Sequence, residues 1–489
     1  MNLSEAIVFL IYLVFMLGIG IYFFFKNRNG GDKTYFLGGR QMGPWVTALS
    51  AGASDMSAWV LMGLPTSIYA LGLGQLWISV GLAIGYTISW LCEAPRLRRF
   101  SIVADDSITI PQYLTNRFLS KSKALQIICA VIFLVAYTIY AASSVKACGT
   151  LFNTVTGVNE TVAMYVASII IIGYTFLGGF SAVCWTDFFQ GMLMLAALLV
   201  APIFALFMLK GVGVHPVDTP NFFNPFSSWK DIVSGLGWGL GYFGMPHILV
   251  RFMSIKKPSM IRKSSTVAIV WVIISLLAAV LIAYFGRMVM GEELLTAGNQ
   301  KLVFIAMSRR FFPAGICGLL LAAIIAASIS TADSQLLVAS SSFTADLYKP
   351  FFRKNATEKE TLMVGRVLVL VLSAIAFFIA NSKGSGAQAI MDMVENAWGA
   401  FGASFGPTIL LSLFWRRFNY KGAVAGVVSG FVVDLGWLLT GLTASTGVFE
   451  IVPGFIASLI VAVVVTKLTP APNAEAVEIF DKATSKDAD

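Results

Sequence analysis

The chain has 489 residues, 57% of them hydrophobic and only 12% charged, with a formal net charge of +9 and a mean hydropathy of +0.80. Soluble domains carry about 25% charged residues, so a soluble enzyme, a disordered chain and a disulfide scaffold are excluded. Recurrent apolar runs long enough to cross a bilayer leave an all-α polytopic membrane protein, in which the positive balance bears on orientation and not on nucleic acid.

The first apolar run, 6–25, reads as a span and not as a cleaved leader. Glu5 stands where a positive segment belongs, Lys26 and Arg28 follow the run, and it is longer than a leader's apolar stretch. Further spans are expected near 42–72, 74–95, 124–149, 161–182, 185–210, 231–254, 264–287, 313–343, 363–382, 391–416, 421–442 and 449–468. The total of about 13 transmembrane helices puts the termini on opposite sides. Segments following odd-numbered spans hold 26 of the 34 basic residues, among them Arg40, Arg98, Arg117, Arg251, Lys349, Arg416 and Lys486. By the positive-inside rule that face is cytoplasmic, with the N-terminus outside and the C-terminus inside. The segment 469–489 is then a hydrophilic cytoplasmic tail. Cys92, Cys129, Cys148, Cys184 and Cys317 form no CxxC pair and read as small core residues. His215 and His247 lack metal-ligand company.

Two spans carry interruptions. The second contains Leu49 to Ser57, with Ser50, Gly52, Ser54, Asp55 and Ser57 in the middle of a helix; the seventh contains five glycines and Pro246 within Gly235 to Pro246. Broken helices survive in a membrane only where protein or water replaces the lost backbone bonds. The two lie five spans apart, so spans two to six and seven to eleven form candidate inverted repeats, 42–210 and 231–416, preceded by a leading helix and loop, 1–41, and followed by two additional helices, 417–468. Paired interruptions point to a midplane site in a transporter; the other reading of the glycines is close helix packing.

A carboxylate deep in a span is costly, which makes Asp55 a functional candidate; the alternative is a half-helix cap formed with Ser54 and Ser57. In the ninth span the Ala327 carbonyl shares a helical face with the Ser330 and Thr331 hydroxyls. With unwound carbonyls at Ala53 and Met56 this is an all-oxygen set suited to a hard cation. Hydroxyls bonding back to their own helix is the plainer alternative. Trp238, Tyr242 and Pro246 fall at i, i+4 and i+8, and Trp59 follows Asp55 by four; they read either as pocket wall or as aromatic packing. Asp434 in the twelfth span has no nameable partner and reads as a helix contact.

At these positions the sequence resembles the sodium/solute symporter family and, within it, the sodium/proline symporters, over about residues 5–468. The resemblance rests on Tyr35 to Arg40, Ser50 to Ser57, Gly178 to Phe180 with Trp185 to Asp187, Trp238 to Gly244 continuing to Ile248, and Ser330 to Leu337. It implies a five-plus-five inverted-repeat core and solute uptake driven by sodium as the coupling ion, with no other cofactor. Sodium would be held by backbone oxygens of Ala53, Met56 and Ala327 and the hydroxyls of Ser330 and Thr331, with Asp55 tuning ion affinity. Asp187 matches a residue of ion passage, or caps the sixth span with Thr186. Arg40 matches a residue of cytoplasmic release, or is one more inward-facing cation. Tyr140 matches a solute-contacting position that joins Trp59, Trp238, Tyr242 and Pro246. Ala58 and Met245 depart from the residues common there, a glycine and an amide.

The expected activity is alternating-access import of L-proline, a small zwitterion, by an integral protein of the cell membrane, the inner membrane of a bacterium, with no obligate protein partner. Rivals are a symporter for pantothenate, a sugar or another carboxylate, or a sensory receptor built on the same bundle. No Ser/His/Asp grouping or HExxH motif suggests an enzyme.

Overall fold

The computed structural model describes residues 3–27, 31–208, 215, 217, 219–296, 298–382 and 387–485; Arg28 and Lys486, counted above, lie outside them. Among the described residues all extended regular structure is helical, the one isolated bridge pairing Met42 with Ile255. The helices that matter here are α1 (Leu3–Lys26), α2 (Pro44–Met56), α3 (Leu64–Leu71), α4 (Leu76–Ile88), α5 (Ala124–Thr156), α6 (Glu160–Met208), α7 (Trp229–Trp238), α8 (Pro246–Ser254) and α9 (Ile261–Met290). They continue with α10 (Ala314–Ser342), α11 (Glu358–Ser382), α12 (Ala387–Phe414), α13 (Tyr420–Leu439) and α14 (Ile451–Leu468).

Ten helices among the described residues are long and apolar enough to cross a bilayer. The expected spans at 42–72 and 231–254 are not among them because both are broken. The first stops at Met56; Ser57 takes φ 44 and ψ −173, its Oγ accepts from the Trp59 amide at 3.0 Å, and the chain resumes through a wide turn, Trp59–Gly63, into α3. The second runs from α7 through a tight 3-10 turn, Gly239–Phe243, into an extended Met245, and restarts with Pro246 at the first position of α8. Proline suits that position because its missing amide hydrogen would have no helical partner there.

The spans expected at 161–182 and 185–210 form one helical run, α6, with a turn at the single residue Gly179 (φ 60, ψ −163) in place of a linker. A side chain there would face a left-handed backbone and the Tyr35 ring at 2.6 Å. Glycines also bring α4 and α7 into backbone contact. A Cβ on Gly81 would stand 2.1 Å from the Gly235 carbonyl oxygen, and one on Gly85 2.1 Å from that of Gly239. The glycine-rich run therefore serves close packing along its length, with Gly241 and Gly244 against Trp398 and Phe401, and the helix break at its end.

Burial separates centre from rim. The apolar windows of α10 and α12 are 78% and 83% buried, against 28% for α1 and α11. Apolar side chains such as Leu10, Ile11 and Phe378 face outward from the peripheral helices, the pattern of a bundle whose outer solvent is lipid. This is an integral membrane protein.

Candidate functional site

The two breaks face each other across the bundle centre. Where α2 nears its end, Ser330 of α10 donates its hydroxyl to the Ala53 carbonyl at 2.9 Å and to the Ala327 carbonyl at 3.0 Å, and Thr331 donates to Ala327 at 3.1 Å. Four of the five expected oxygens are thus in mutual contact, all fully buried. Both hydroxyls do bond back to their own helix, as the plainer reading has it, and Ser330 also reaches α2. Met56, the fifth, ends α2 and lines the adjacent cavity.

Asp55 does not pair with the α10 hydroxyls. Its Oδ2 accepts from Tyr242 Oη at 2.6 Å, a bond that joins the two broken helices directly. Of the capping alternative, Ser57 does cap the resumed chain, its Oγ accepting from the Trp59 amide at 3.0 Å, whereas Ser54 donates to the Ala51 carbonyl at 3.2 Å.

A tight cavity of about 10 Å³ lies beside this bond, lined by Asp55, Met56, Trp59, Leu82, Tyr140, Trp238, Tyr242, Val394 and Trp398. Such a volume admits roughly one water centre. Trp59 and Trp238 stack with centroids 5.2 Å apart, Tyr242 meets Trp398 edge-on at 5.1 Å and Tyr86 edge-on at 4.9 Å, and the Trp398 indole donates to the Trp238 carbonyl at 2.8 Å. Four of the five aromatic and proline candidates line this cavity. Pro246 does not, because the 3-10 turn and the extended Met245 end the helical face on which i, i+4 and i+8 would align.

The model of the sodium:solute symporter family matches residues 35–430. The chain belongs to that family. It is 42% identical over 476 residues to an osmoregulated proline transporter of Bacillus subtilis, covering 96% of each chain. It is also 42% identical to the high-affinity proline transporter of the same organism, covering 95% of this chain and 98% of that one, and to a sodium/proline symporter of Staphylococcus aureus, covering 97% and 94%. Among solved structures it shares the fold of a Na+-coupled sialic acid symporter, with a TM-score of 0.78, 20% identity and coverage of 96% and 99%. A nucleobase-cation-symport-1 transporter in a closed conformation matches at a TM-score of 0.54, with 15% identity and coverage of 91% and 98%.

In this symporter-family chain, charge counting placed Arg251 among the aqueous cations, as it did Arg98 and Arg117, which are also buried at 3% and 0% exposed. Arg251, expected on the aqueous face, is 1% exposed inside the bundle, because α8 is buried along its whole length. Its guanidinium donates to Asp187 Oδ2 at 2.7 Å, Ser50 Oγ at 2.7 Å, Ser334 Oγ at 2.6 Å and the His247 carbonyl at 2.6 Å, and Ser50 Oγ donates to Asp187 at 2.7 Å. Asp187 caps no helix start, since α6 runs through it, and Thr186 bonds back to Ala182 and Val183. An apolar sequence on both sides of Arg251, Ile248 to Val250 and Phe252 to Met253, was the available signal of burial.

Arg40, 6% exposed, ties together the end of the bundle where α2 starts and α8 ends. It donates to Asp106 Oδ1 at 2.9 Å, Ser101 Oγ at 3.1 Å, and the carbonyls of Ser107 and Met253. Lys33 pairs with the other oxygen of Asp106. Partial burial pushes the Asp106 carboxyl up, but these two cations outweigh it and hold the group below its ordinary value. Beside them Met42 exchanges backbone bonds with Ser254 and Lys256, pinning the ends of the two broken helices to each other.

Proposed function

We propose that this protein is a sodium-coupled symporter importing L-proline, with its ion and solute sites at the two helix breaks. The observation that carries this reading is the contact of Ser330 with the Ala53 carbonyl, beside Ala327 and Thr331 and next to an aromatic-lined cavity. Neutral oxygens from two helices suit a hard monovalent cation, and the ion would replace the hydroxyl–carbonyl bonds with direct coordination by Ala53, Met56, Ala327, Ser330 and Thr331. Asp55 lies between Ala53 and the cavity residues Met56 and Trp59 and supplies negative potential to both neighbours. A cation at Ala53 then offsets that charge and steadies α2, so ion and solute strengthen each other's binding reciprocally.

The cavity is too small for a proline ring as it stands. Admission of solute therefore requires Trp59 and Trp238 to part, and their closure isolates the bound molecule from one side. Opening to the other side requires the Arg40 and Met42 ties to release, which gives Arg40 its role in exit to the cytoplasm. In this reading the 13 crossings, outer N-terminus and inner C-terminus give 42–210 and 231–416 as inverted repeats, 1–41 as a leading helix, 417–468 as peripheral helices and 469–489 as a tail in the bacterial cytoplasm. Asp187 shares the Arg251 guanidinium with Ser334, one helical turn beyond Ser330, on the route an ion leaving Ser330 would take inward.

The test is uptake of radiolabelled proline into proteoliposomes of the purified protein. An inward sodium gradient should drive accumulation and a choline gradient should not, with unlabelled proline competing better than pantothenate or sugars. Accumulation without sodium contradicts the coupling, and stronger competition by another solute reassigns the substrate.

A further inference from the structure

Outside the site just described, two acids meet where the peripheral helices join the core. Asp434 of α13 and Glu450, which precedes α14, are each 2% exposed. A Cβ built on Gly399 of α12 would lie 2.7 Å from Asp434 Oδ1 and 3.3 Å from Glu450 Cγ, so the two carboxyl-bearing side chains bracket one glycine. Asp434 Oδ1 is completely buried and has no hydrogen-bond partner among the described residues. Glu450 Oε2 accepts from Thr443 Oγ1 at 2.7 Å. The charged groups around them add no compensation at close range. Asp392 and Glu395 of α12 act on Glu450 electrostatically with the same sign, and Lys230, at the start of α7, lies instead against Gly447 of the connecting loop. Neither acid forms an ion pair among the described residues.

Two carboxylates brought together away from water cannot both ionise, and such a pair retains a shared proton. We propose that Asp434 and Glu450 form a proton-binding site that locks the α13–α14 connection onto the second broken helix. The orphaned Asp434 Oδ1 is the atom that needs a hydrogen, and one proton on the pair supplies it. The lock reaches the solute cavity by two contacts. Phe449, next to Glu450, packs on Trp238 with centroids 5.1 Å apart, and Trp398, next to Gly399, donates to the Trp238 carbonyl. The same loop is bonded to α7 through Ser234 Oγ, which donates to the Gly447 carbonyl at 2.9 Å and accepts from the Phe449 amide at 3.1 Å. Loss of the proton puts two like charges across Gly399 and pushes Phe449 from Trp238. The consequence for uptake rests on the solute reading above; the protonation does not.

The experiment is infrared spectroscopy of the full chain in lipid bilayers, comparing wild type with Asp434→Asn and Glu450→Gln in water and in deuterium oxide. In Asp434→Asn one protonated-carboxyl band should be lost, because Glu450 ionises beside a neutral amide; in Glu450→Gln the Asp434 band should leave its original frequency, because the buried acid keeps its proton beside a new amide neighbour. Replacing choline by sodium should leave that band in the wild-type protein. The pH response of tryptophan emission should flatten in both variants. Each substitution preserves side-chain shape, and the two are read separately, so one misfolded variant leaves the other decisive. The proposal is overturned when a folded variant keeps the full set of carboxyl bands at their original frequencies, or when sodium removes the band from the wild type.

Discussion

Two polar clusters share α2 and α10 in the bundle centre, and they solve the same burial problem in opposite ways. At Ser330 and Thr331 every group is neutral, and hydroxyls and carbonyls satisfy one another across the broken end of α2. At Asp187 and Arg251, about one helical turn further along both helices, full charges cancel inside the protein and recruit Ser50 and Ser334. The charged cluster already contains its cation, which makes it a fastener between α2, α6, α8 and α10. The neutral cluster contributes oxygens only, the chemistry that the proposed coupling ion would use. The contrast is why the proposed ion site uses backbone carbonyls exposed by a helix break, while the nearest carboxylate, Asp55, is engaged by Tyr242.

The largest effect should come from breaking the fastener. Arg251→Met leaves the Asp187 carboxylate buried and uncompensated, which costs about 3 to 5 kcal/mol; thermal melts in detergent should show a collapse of stability, and adding Asp187→Asn should recover much of it. A purely surface role for Arg251 would leave the melt unchanged. Next comes Tyr242→Phe, which keeps the ring against Trp398 and Tyr86 but removes the hydroxyl from Asp55. Hydrogen bonds to charged groups are worth about 1.5 to 3 kcal/mol, and the loss should appear in equilibrium binding as weaker proline and sodium affinity together, since one bond joins both helices. An effect on neither ligand would separate Asp55 from the site.

The smallest effect belongs to the rim. Asp106 is 46% exposed in its side chain and pairs with Lys33 and Arg40, so Asp106→Asn should cost no more than about 1 kcal/mol at neutral pH. Because its folded value is depressed, that contribution is complete above the unfolded value of about 3.9 and fades as pH falls below it. Melts of wild type and variant should therefore differ at neutral pH and converge in strong acid.

The neutral cluster was legible in the sequence because its parts are local: Ala327, Ser330 and Thr331 lie within one helical turn, and the small residues around Ala53 mark where α2 gives way. Trp59, Trp238 and Tyr242 were legible through their place on or beside interrupted spans, and Tyr140, inside an unbroken helix, only through the family resemblance. The pairing of Tyr242 with Asp55 was not, since it depends on how two breaks 187 residues apart are brought together. Arg251 was misread because counting basic residues near span ends treats each as aqueous, whereas α8 is a half-helix that never leaves the bundle. Trp398 joins the cavity from a third helix with no interruption paired to the two broken spans, and nothing in its local sequence distinguishes a cavity wall from packing. Pro246 was placed on a helical face that the 3-10 turn abolishes.

The most direct measurement is the sodium dependence of proline binding to purified wild-type protein and to the Ser330→Ala, Thr331→Ala double variant. The account predicts that the variant folds and still binds proline at saturating sodium, with half-saturation by sodium shifted upward at least about tenfold, equivalent to about 1.4 kcal/mol. An unchanged sodium requirement in a folded double variant contradicts the assignment of the coupling ion to the break in α2.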